Sequence, residues 1–504
     1  MVGVPRSGGC AFCVKRRVKC DEARPACANC DRYGAECPGY DRRFKFVAGK
    51  HVVRSRGRPV DVHGRDLDHD QLALPSLASA SQPGPESHGM TARWRSQSYP
   101  MLVSPTPNRA QLIGNTIQSL LHNKKSAHEI MLFAPWFNAV PERLGNKIAL
   151  DGAMAAFTIH LLGKAEESEH LVAESRSLYG QSLAALQKAL NHPVEWKSSE
   201  TLCATMLLAL FELFAGTSDP GSRTADPGSW MKHTAGVSFL IQQRGPDTYK
   251  ESWDRSMLMS FRTLLIMDCL FSAQECFLSK KKWQAIILEP VTNSSAIALP
   301  ENSAWVFDLY FAHLARVPGI LQRGLALRES TRCGLPVDML QLMSLVQDTA
   351  KLRADYVSWF ESFERVAPAP TEKPSCDSST IFDTALHYDS VWHGSVFMSY
   401  WATMLILQEI LNICQYPVDF VESNRQMANN IFRSIETVRP GYMGPYRIGY
   451  PVRIAYEFGD TPTQIWLKSV MAQTEQHYAA TSPIGYPEPG TTLPASTKSI
   501  RPSW

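Results

Sequence analysis

Six cysteines near the start of the chain set the tightest limit on what it can fold into. They stand at Cys10, Cys13, Cys20, Cys27, Cys30 and Cys37, an array C-x2-C-x6-C-x6-C-x2-C-x6-C whose first three positions recur 17 residues later. A segment this short has no room for a hydrophobic core, so something other than apolar burial must order it. The sequence opens MVGVPRSGGCAF, without the apolar centre of a secretory signal, and the best apolar run, 201–215, is interrupted by Glu212. No oxidising compartment and no membrane partner are therefore expected, and the array reads as metal ligands rather than as a disulfide knot. A structural zinc ion takes four thiolates in a tetrahedron. Two zinc ions need eight such bonds, and six sulfurs supply them only when two sulfurs bridge both metals.

Charge follows the cysteines. Residues 1–60 hold 14 Lys/Arg against 5 Asp/Glu, whereas the remainder holds 37 basic and 43 acidic residues. A basic head on a mildly acidic body points to a polyanionic partner. Within the head, the six residues between Cys13 and Cys20 read VKRRVK, while the matching ANCDRYGAEC half is nearly neutral. Only the first half-unit can present an electropositive surface. The VKRRVK run carries no aromatic residue, which single-stranded RNA readers use for stacking, so duplex DNA is the expected polyanion.

The stretch GGCAFCVKRRVKCDEARPACANCDRYGAECPGY resembles the fungal zinc binuclear cluster transcription factors, including Asp21, Pro25 and the closing Cys37-Pro38-Gly39-Tyr40. The resemblance implies two short helices around two zinc ions, with Cys10 and Cys27 as the bridging ligands and the first helix in the DNA major groove. Arg16 and Arg17 fall at the family's base-reading positions for a CGG triplet. An arginine fork can donate to both O6 and N7 of one guanine, worth about 1–3 kcal/mol of discrimination. Lys15 and Lys19 are left for phosphates, which position the protein and make binding salt-dependent. Two positions depart from the family pattern: Val14 stands where a basic residue is usual, and Arg17 where lysine is usual. The resemblance also implies a nuclear regulator at RNA polymerase II promoters, acting with co-regulators or the transcription machinery on a metabolic or secondary-metabolite gene set. No leucine heptad follows the cluster, so a homodimer would have to be held by the rest of the chain; otherwise the protein binds as a monomer.

Four zones are expected: the zinc cluster over 10–40, a basic then Ser/Pro-rich disordered linker over 41–110, a large all-α domain over 111–480, and a flexible tail over 481–504. The basic stretch from Arg42 to Arg54 suits a nuclear import signal or a solvated linker equally, and Arg56-Gly57-Arg58-Pro59 matches the core of a minor-groove AT-hook only weakly. In the large zone, apolar residues spaced by three and four predict helices over 149–164, 174–191, 198–216 and 229–246. Others are predicted near 252–273, 303–324, 336–363, 388–415, 424–438 and 462–475. Gly245 and Pro246 should end the fourth. ALDGAMAAF, LLALFELF and the run Trp230-x2-His233-x2-Gly236-x3-Leu240-Ile241-x2-Arg244-Gly245-Pro246 resemble the fungal-specific regulatory domain found downstream of such clusters. That resemblance implies an all-helical module that restrains or relays activation.

Trp230 and His233 are expected to pack helices, the imidazole bonded to a backbone group, and the later single cysteines to be buried. The sequence contains no HExxH, no G-x-x-x-x-G-K-[ST], no G-x-G-x-x-G and no G-x-S-x-G, so no enzyme is expected. The competing reading is a zinc-folded interaction module that partners recruit to chromatin, without sequence specificity of its own.

Overall fold

The computed structural model describes residues 12–13, 16, 18, 20–21, 27–35, 37, 135–215, 229–250, 252–289, 301–441, 443–475, 478–481 and 486–490. The expected linker over 41–110, the basic stretch and its Arg-Gly-Arg-Pro tetrapeptide, and the first part of the expected helical zone lie outside these residues. One short helix, α1 (Ala28–Arg32), belongs to the cysteine-rich head. From Pro135 onward, thirteen further helices and one strand pair form the body among the described residues.

The body opens with two antiparallel helices, α2 (Ile148–Ala165) and α3 (Glu169–Asn191). The connection is tight because Glu167 takes a positive φ of 52° and the Ser168 hydroxyl accepts from the Leu171 amide, capping α3. Gly163 lies against the first turn of α3, where a Cβ would come within 2.9 Å of the Val172 nitrogen, so the two backbones approach closely only because this residue is glycine. Helix α4 (Ser199–Ala215) is buried without interruption from Thr201 to Phe211, and Glu212 is the break in its apolar surface. Helix α5 (Ser229–Arg244) ends as the sequence predicts. Gly245 adopts φ +80°, its amide donates to the Ile241 and Gln242 carbonyls, and Pro246 cannot continue the ladder.

The C-terminal end of α5 has a mechanical role. The Arg244 guanidinium forms an ion pair with Asp254 at 2.9 Å and donates to the Lys197 carbonyl and the Ser199 hydroxyl. Its side chain and that of Asp254 are 2% and 7% exposed. One cation thus ties α5, the entry to α4 and the start of α6 (Ser252–Phe271) together. On the same helix the His233 Nε2 shares a hydrogen bond of 3.0 Å with the Tyr179 hydroxyl of α3, and the Glu212 carboxylate stands 3.9 Å away. Trp230 is buried.

The second half of the body follows as α7 (Lys281–Leu288), α8 (Glu301–Leu314), α9 (Val317–Arg332) and α10 (Met339–Glu364). The single helix expected over 303–324 is in fact two. Pro318, near the start of α9, has no amide to carry the ladder of α8 forward, so the chain turns between them. Asp338 caps α10 by accepting from the Leu340 and Gln341 amides. A short antiparallel pair follows, β1 (Thr371–Pro374) and β2 (Thr384–His387), in the register Thr371↔His387. This pair is a departure from the expected all-helical reading. It rests on α12 (Val421–Val438), through the Arg433–Glu372 ion pair at 2.6 Å and the Thr437 hydroxyl donating to the Leu386 carbonyl.

Helix α11 (Val391–Ile413) is long and apolar enough to cross a membrane by length and composition, contrary to the sequence reading. In the body 78% of that window is buried, with α9, α10, α12 and α13 (Gly444–Ala455) packed around it. Helix α13 and α7 were not predicted. Two glycines and two prolines in GPYRIGYPVRIA hide the first, yet all but Tyr446 and Ile454 of its residues are buried, so tertiary packing overrides its low propensity. At Gly444 a Cβ would collide with the Arg439 carbonyl, so this turn accepts glycine alone. The last helix is α14 (Thr461–Glu475). The packed body runs to Gly490 rather than ending at 480, because Tyr486 is buried, the Pro487 carbonyl accepts from the Tyr456 hydroxyl, and the Gly490 amide donates to Gln464. Of the later cysteines, Cys203, Cys269, Cys276 and Cys414 are buried as expected, but Cys333 and Cys376 are exposed because they lie in connections.

Two predictions follow from this packing. Arg244→Met leaves Asp254 buried without its cation and should cost about 3–5 kcal/mol, read as a lower urea midpoint; an unchanged midpoint would contradict the tie. His160 on α2 is buried between Ser175 and the Phe214 carbonyl, and burial holds it at about 4, below its ordinary 6.5. As pH falls, the unfolded chain therefore takes up this proton first, and stability is lost between about pH 6.5 and 4. The His160→Gln variant should lack about 3 kcal/mol of that decline in urea titrations across this window.

Candidate metal centre and nucleic-acid interface

The head is built from sulfur. Cys13, Cys20 and Cys27 form one group whose Sγ atoms all lie within 4.8 Å of one another, and Cys27, Cys30 and Cys37 form a second. Cys27 belongs to both. The Cys13 and Cys27 sulfurs are 3.6 Å apart, and Cys13, Cys20, Cys27 and Cys30 are buried among themselves. Cys10 lies outside the described residues. Such a set of converging soft donors, one of them shared, suits a pair of thiophilic cations in four-coordinate sites.

Local structure places these sulfurs. Cys27 is the N-cap of α1, and its sulfur accepts from the Cys30 amide at 3.3 Å. The x2 spacing therefore sets Cys27 and Cys30 on one side of the first helical turn. Asp21, singled out in the sequence, accepts from the Ala28 amide at 3.0 Å at the same helix start. Gly34 closes the helix with φ +60°, turning the chain back so that Cys37 reaches the second group. Burial raises the Cys27 thiol above its ordinary value, and the Cys30 amide partly offsets this. A coordinated cation reverses the balance, since only the thiolate ligates.

The basic segment begins inside this scaffold. The Arg16 amide donates to the Phe12 carbonyl at 3.1 Å, a helical turn that starts between two ligand positions. Its guanidinium lies 3.3 Å from the centroid of the Tyr33 ring and 5.5 Å from that of Phe12. Tyr33 is 63% exposed, so Arg16 is held at the surface and stays within reach of solvent. The sequence reading passed over Tyr33. The available signal was an aromatic residue three positions after Cys30 in the half-unit described as merely neutral. Lys15, Arg17 and Lys19 lie outside the described residues.

Comparison with known proteins agrees with this geometry. Residues 8–45 match the fungal Zn(2)-Cys(6) binuclear cluster domain, which binds two zinc ions. Residues 102–364 match the fungal specific transcription factor domain. An uncharacterized protein of Emericella nidulans is 26% identical over 66% of this chain and 72% of its own length. A Zn(2)-C6 fungal-type transcription factor of Gibberella zeae is 23% identical over 46% of this chain, which covers 53% of that relative. Another, from Aspergillus fumigatus, is 40% identical over 62 residues, 12% of this chain and 16% of the relative. No solved structure matches. Both matched families are families of transcription factors rather than of enzymes. The helical match alone covers more than half of the chain, and the protein therefore belongs to the fungal transcription factors that join a two-zinc, six-cysteine DNA-binding cluster to a fungal-specific regulatory domain.

Proposed function

We propose that this protein acts in the nucleus as a sequence-specific regulator that reads CGG-type triplets in duplex DNA through the first half of its cluster. The observation that carries this reading is the sharing of Cys27 by two groups of sulfurs, with the basic run 14–19 strung between Cys13 and Cys20. Cys10, Cys13, Cys20, Cys27, Cys30 and Cys37 would hold the two zinc ions, Cys10 and Cys27 in the places that the family resemblance gives to the shared ligands. Zinc bound there would supply scaffold rather than catalysis, with Lys15, Arg16, Arg17 and Lys19 presented from the segment between Cys13 and Cys20. Arg16 and Arg17 address base edges, and Lys15 and Lys19 address phosphates. The stacking of Arg16 on Tyr33 supports this division, because a pre-oriented guanidinium loses less freedom on binding than a mobile one. Residues 41–110 serve as the linker that lets the head find DNA independently of the body. Family resemblance assigns the targets to a metabolic or secondary-metabolite gene set.

In vitro selection from random duplex DNA tests the reading, using full-length protein with zinc and again after chelation. Zinc-dependent enrichment of CGG triplets is expected, and Cys20→Ala should abolish it while leaving the helical content of the body intact. Enrichment of no sequence by zinc-loaded, folded protein would favour recruitment by partners instead. A second experiment separates the contacts. Arg17→Ala should narrow the gap between cognate and random DNA by about 1–3 kcal/mol. Lys15→Ala should weaken both about equally and lower the salt slope by about 1. Equal effects of both variants on cognate and random DNA would overturn the division of labour.

A further inference from the structure

The 17-residue repeat of the head makes Tyr33 the counterpart of Arg16, as Cys30 is the counterpart of Cys13. These two counterparts meet: the Arg16 guanidinium carbon lies 3.3 Å from the centroid of the Tyr33 ring. Equivalent positions touch only near the line about which a duplicated unit folds onto itself, so this is where the half-units come together. The repeat has diverged here into a cation in one half and an aromatic platform in the other. We propose that Tyr33 is a positioning residue for DNA reading, which aims the donors of Arg16 and so brings the nearly neutral second half-unit into sequence recognition. The inference rests on the reading that Arg16 addresses a base edge.

Geometry decides what such a platform does. A guanidinium is planar, and its N–H bonds lie in that plane. A carbon-to-centroid distance of 3.3 Å is a stacking distance, out of reach edge-on because a nitrogen would then stand between carbon and ring. The ring therefore covers one face of the guanidinium and leaves the in-plane donors open. Two donors in one plane are what O6 and N7 of a guanine accept. A carboxylate partner would consume those donors, whereas a π face attracts the same cation and takes none of them.

Both partners are fixed from ligand positions. The Arg16 amide donates to the Phe12 carbonyl and the Val18 amide to the Cys13 carbonyl, each at 3.1 Å, so Arg16 stands on a turn that starts beside Cys13. The Tyr33 and Ala35 amides both donate to the Cys30 carbonyl at 3.1 Å, with Gly34 turning the chain between them. Tyr33 itself is largely exposed, which is not the place of a ring kept for core packing. An arginine laid on a fixed ring has lost part of its rotamer freedom before DNA arrives. The gain falls on base contact, which needs direction, far more than on phosphate contact, which needs only a nearby charge.

The test measures the affinity of full-length, zinc-loaded protein for a duplex carrying CGG triplets and for a scrambled duplex, by fluorescence anisotropy over a salt series. Tyr33→Leu should lower the ratio of the two affinities about fivefold. Scrambled binding, its salt slope and the bound zinc should stay as in wild type. Tyr33→Phe keeps the ring and should hold the ratio within about twofold of wild type. In an Arg16→Ala background, Tyr33→Leu should change the ratio no further, because the two residues act as one unit. An unchanged ratio in Tyr33→Leu overturns the proposal, as does an equal loss on both duplexes. So does a fall of the same size in Tyr33→Phe, which would assign the effect to the hydroxyl, or a fall that persists without Arg16. Loss of zinc from Tyr33→Leu would make the residue structural and overturns it too. A wild type that prefers no triplet removes the DNA reading and this inference together, whereas a selective wild type with an indifferent Tyr33→Leu removes this inference alone.

Discussion

Helix α11 is stable in water only if nearly every face is covered, because its 23 residues carry apolar side chains all round. That requirement organises the second half of the body. A helix with one apolar stripe can lie on a surface, but this one needs neighbours on all sides, and α9, α10, α12 and α13 supply them. The consequence reaches residues with little helical tendency of their own. Tyr450 of α13 hydrogen-bonds to Thr403 of α11, and Gly324 of α9 sits where a Cβ would press on Ile410 of α11. The helices around α11 are thus chosen by contact rather than by local preference.

The head solves the opposite problem. It has too few apolar residues to bury and relies on ligand bonds to two zinc ions, which makes metal binding and folding one event. Its order is correspondingly local: a cap by Cys27, a helix start held by Asp21, a turn at Gly34. The body draws its stability from hundreds of small contacts and a few buried polar ties such as Arg244–Asp254. Loss of zinc should therefore silence the head without melting the body, a useful separation for a protein whose two parts do different work.

Aromatic residues line a cleft where α5, α6, α8, α11 and α13 meet. Trp230, which the sequence suggested was a packing residue, is buried and also lines this cleft. His233, one turn further along α5, instead joins Tyr179 and Glu212 between helices. Adjacent positions on one helix face two different environments, a distinction that spacing along the chain does not carry.

The sequence by itself determined the cysteine array, its metal chemistry and the basic run inside it, because ligand number and spacing are local properties of a short segment. It also determined most helices of the body and the stop at Gly245–Pro246, since amphipathic period and backbone conformation are written in neighbouring residues. Tertiary structure decided the rest. Pro318 split one expected helix, α13 formed despite Pro451, the β1–β2 pair found support on α12, and Tyr486 and Pro487 extended the body to Gly490. Tertiary structure also decided that Arg16 lies on Tyr33 and that aromatic residues from five helices enclose one cleft. These are contacts between residues far apart in sequence, and their energies exist only once the chain has brought them together.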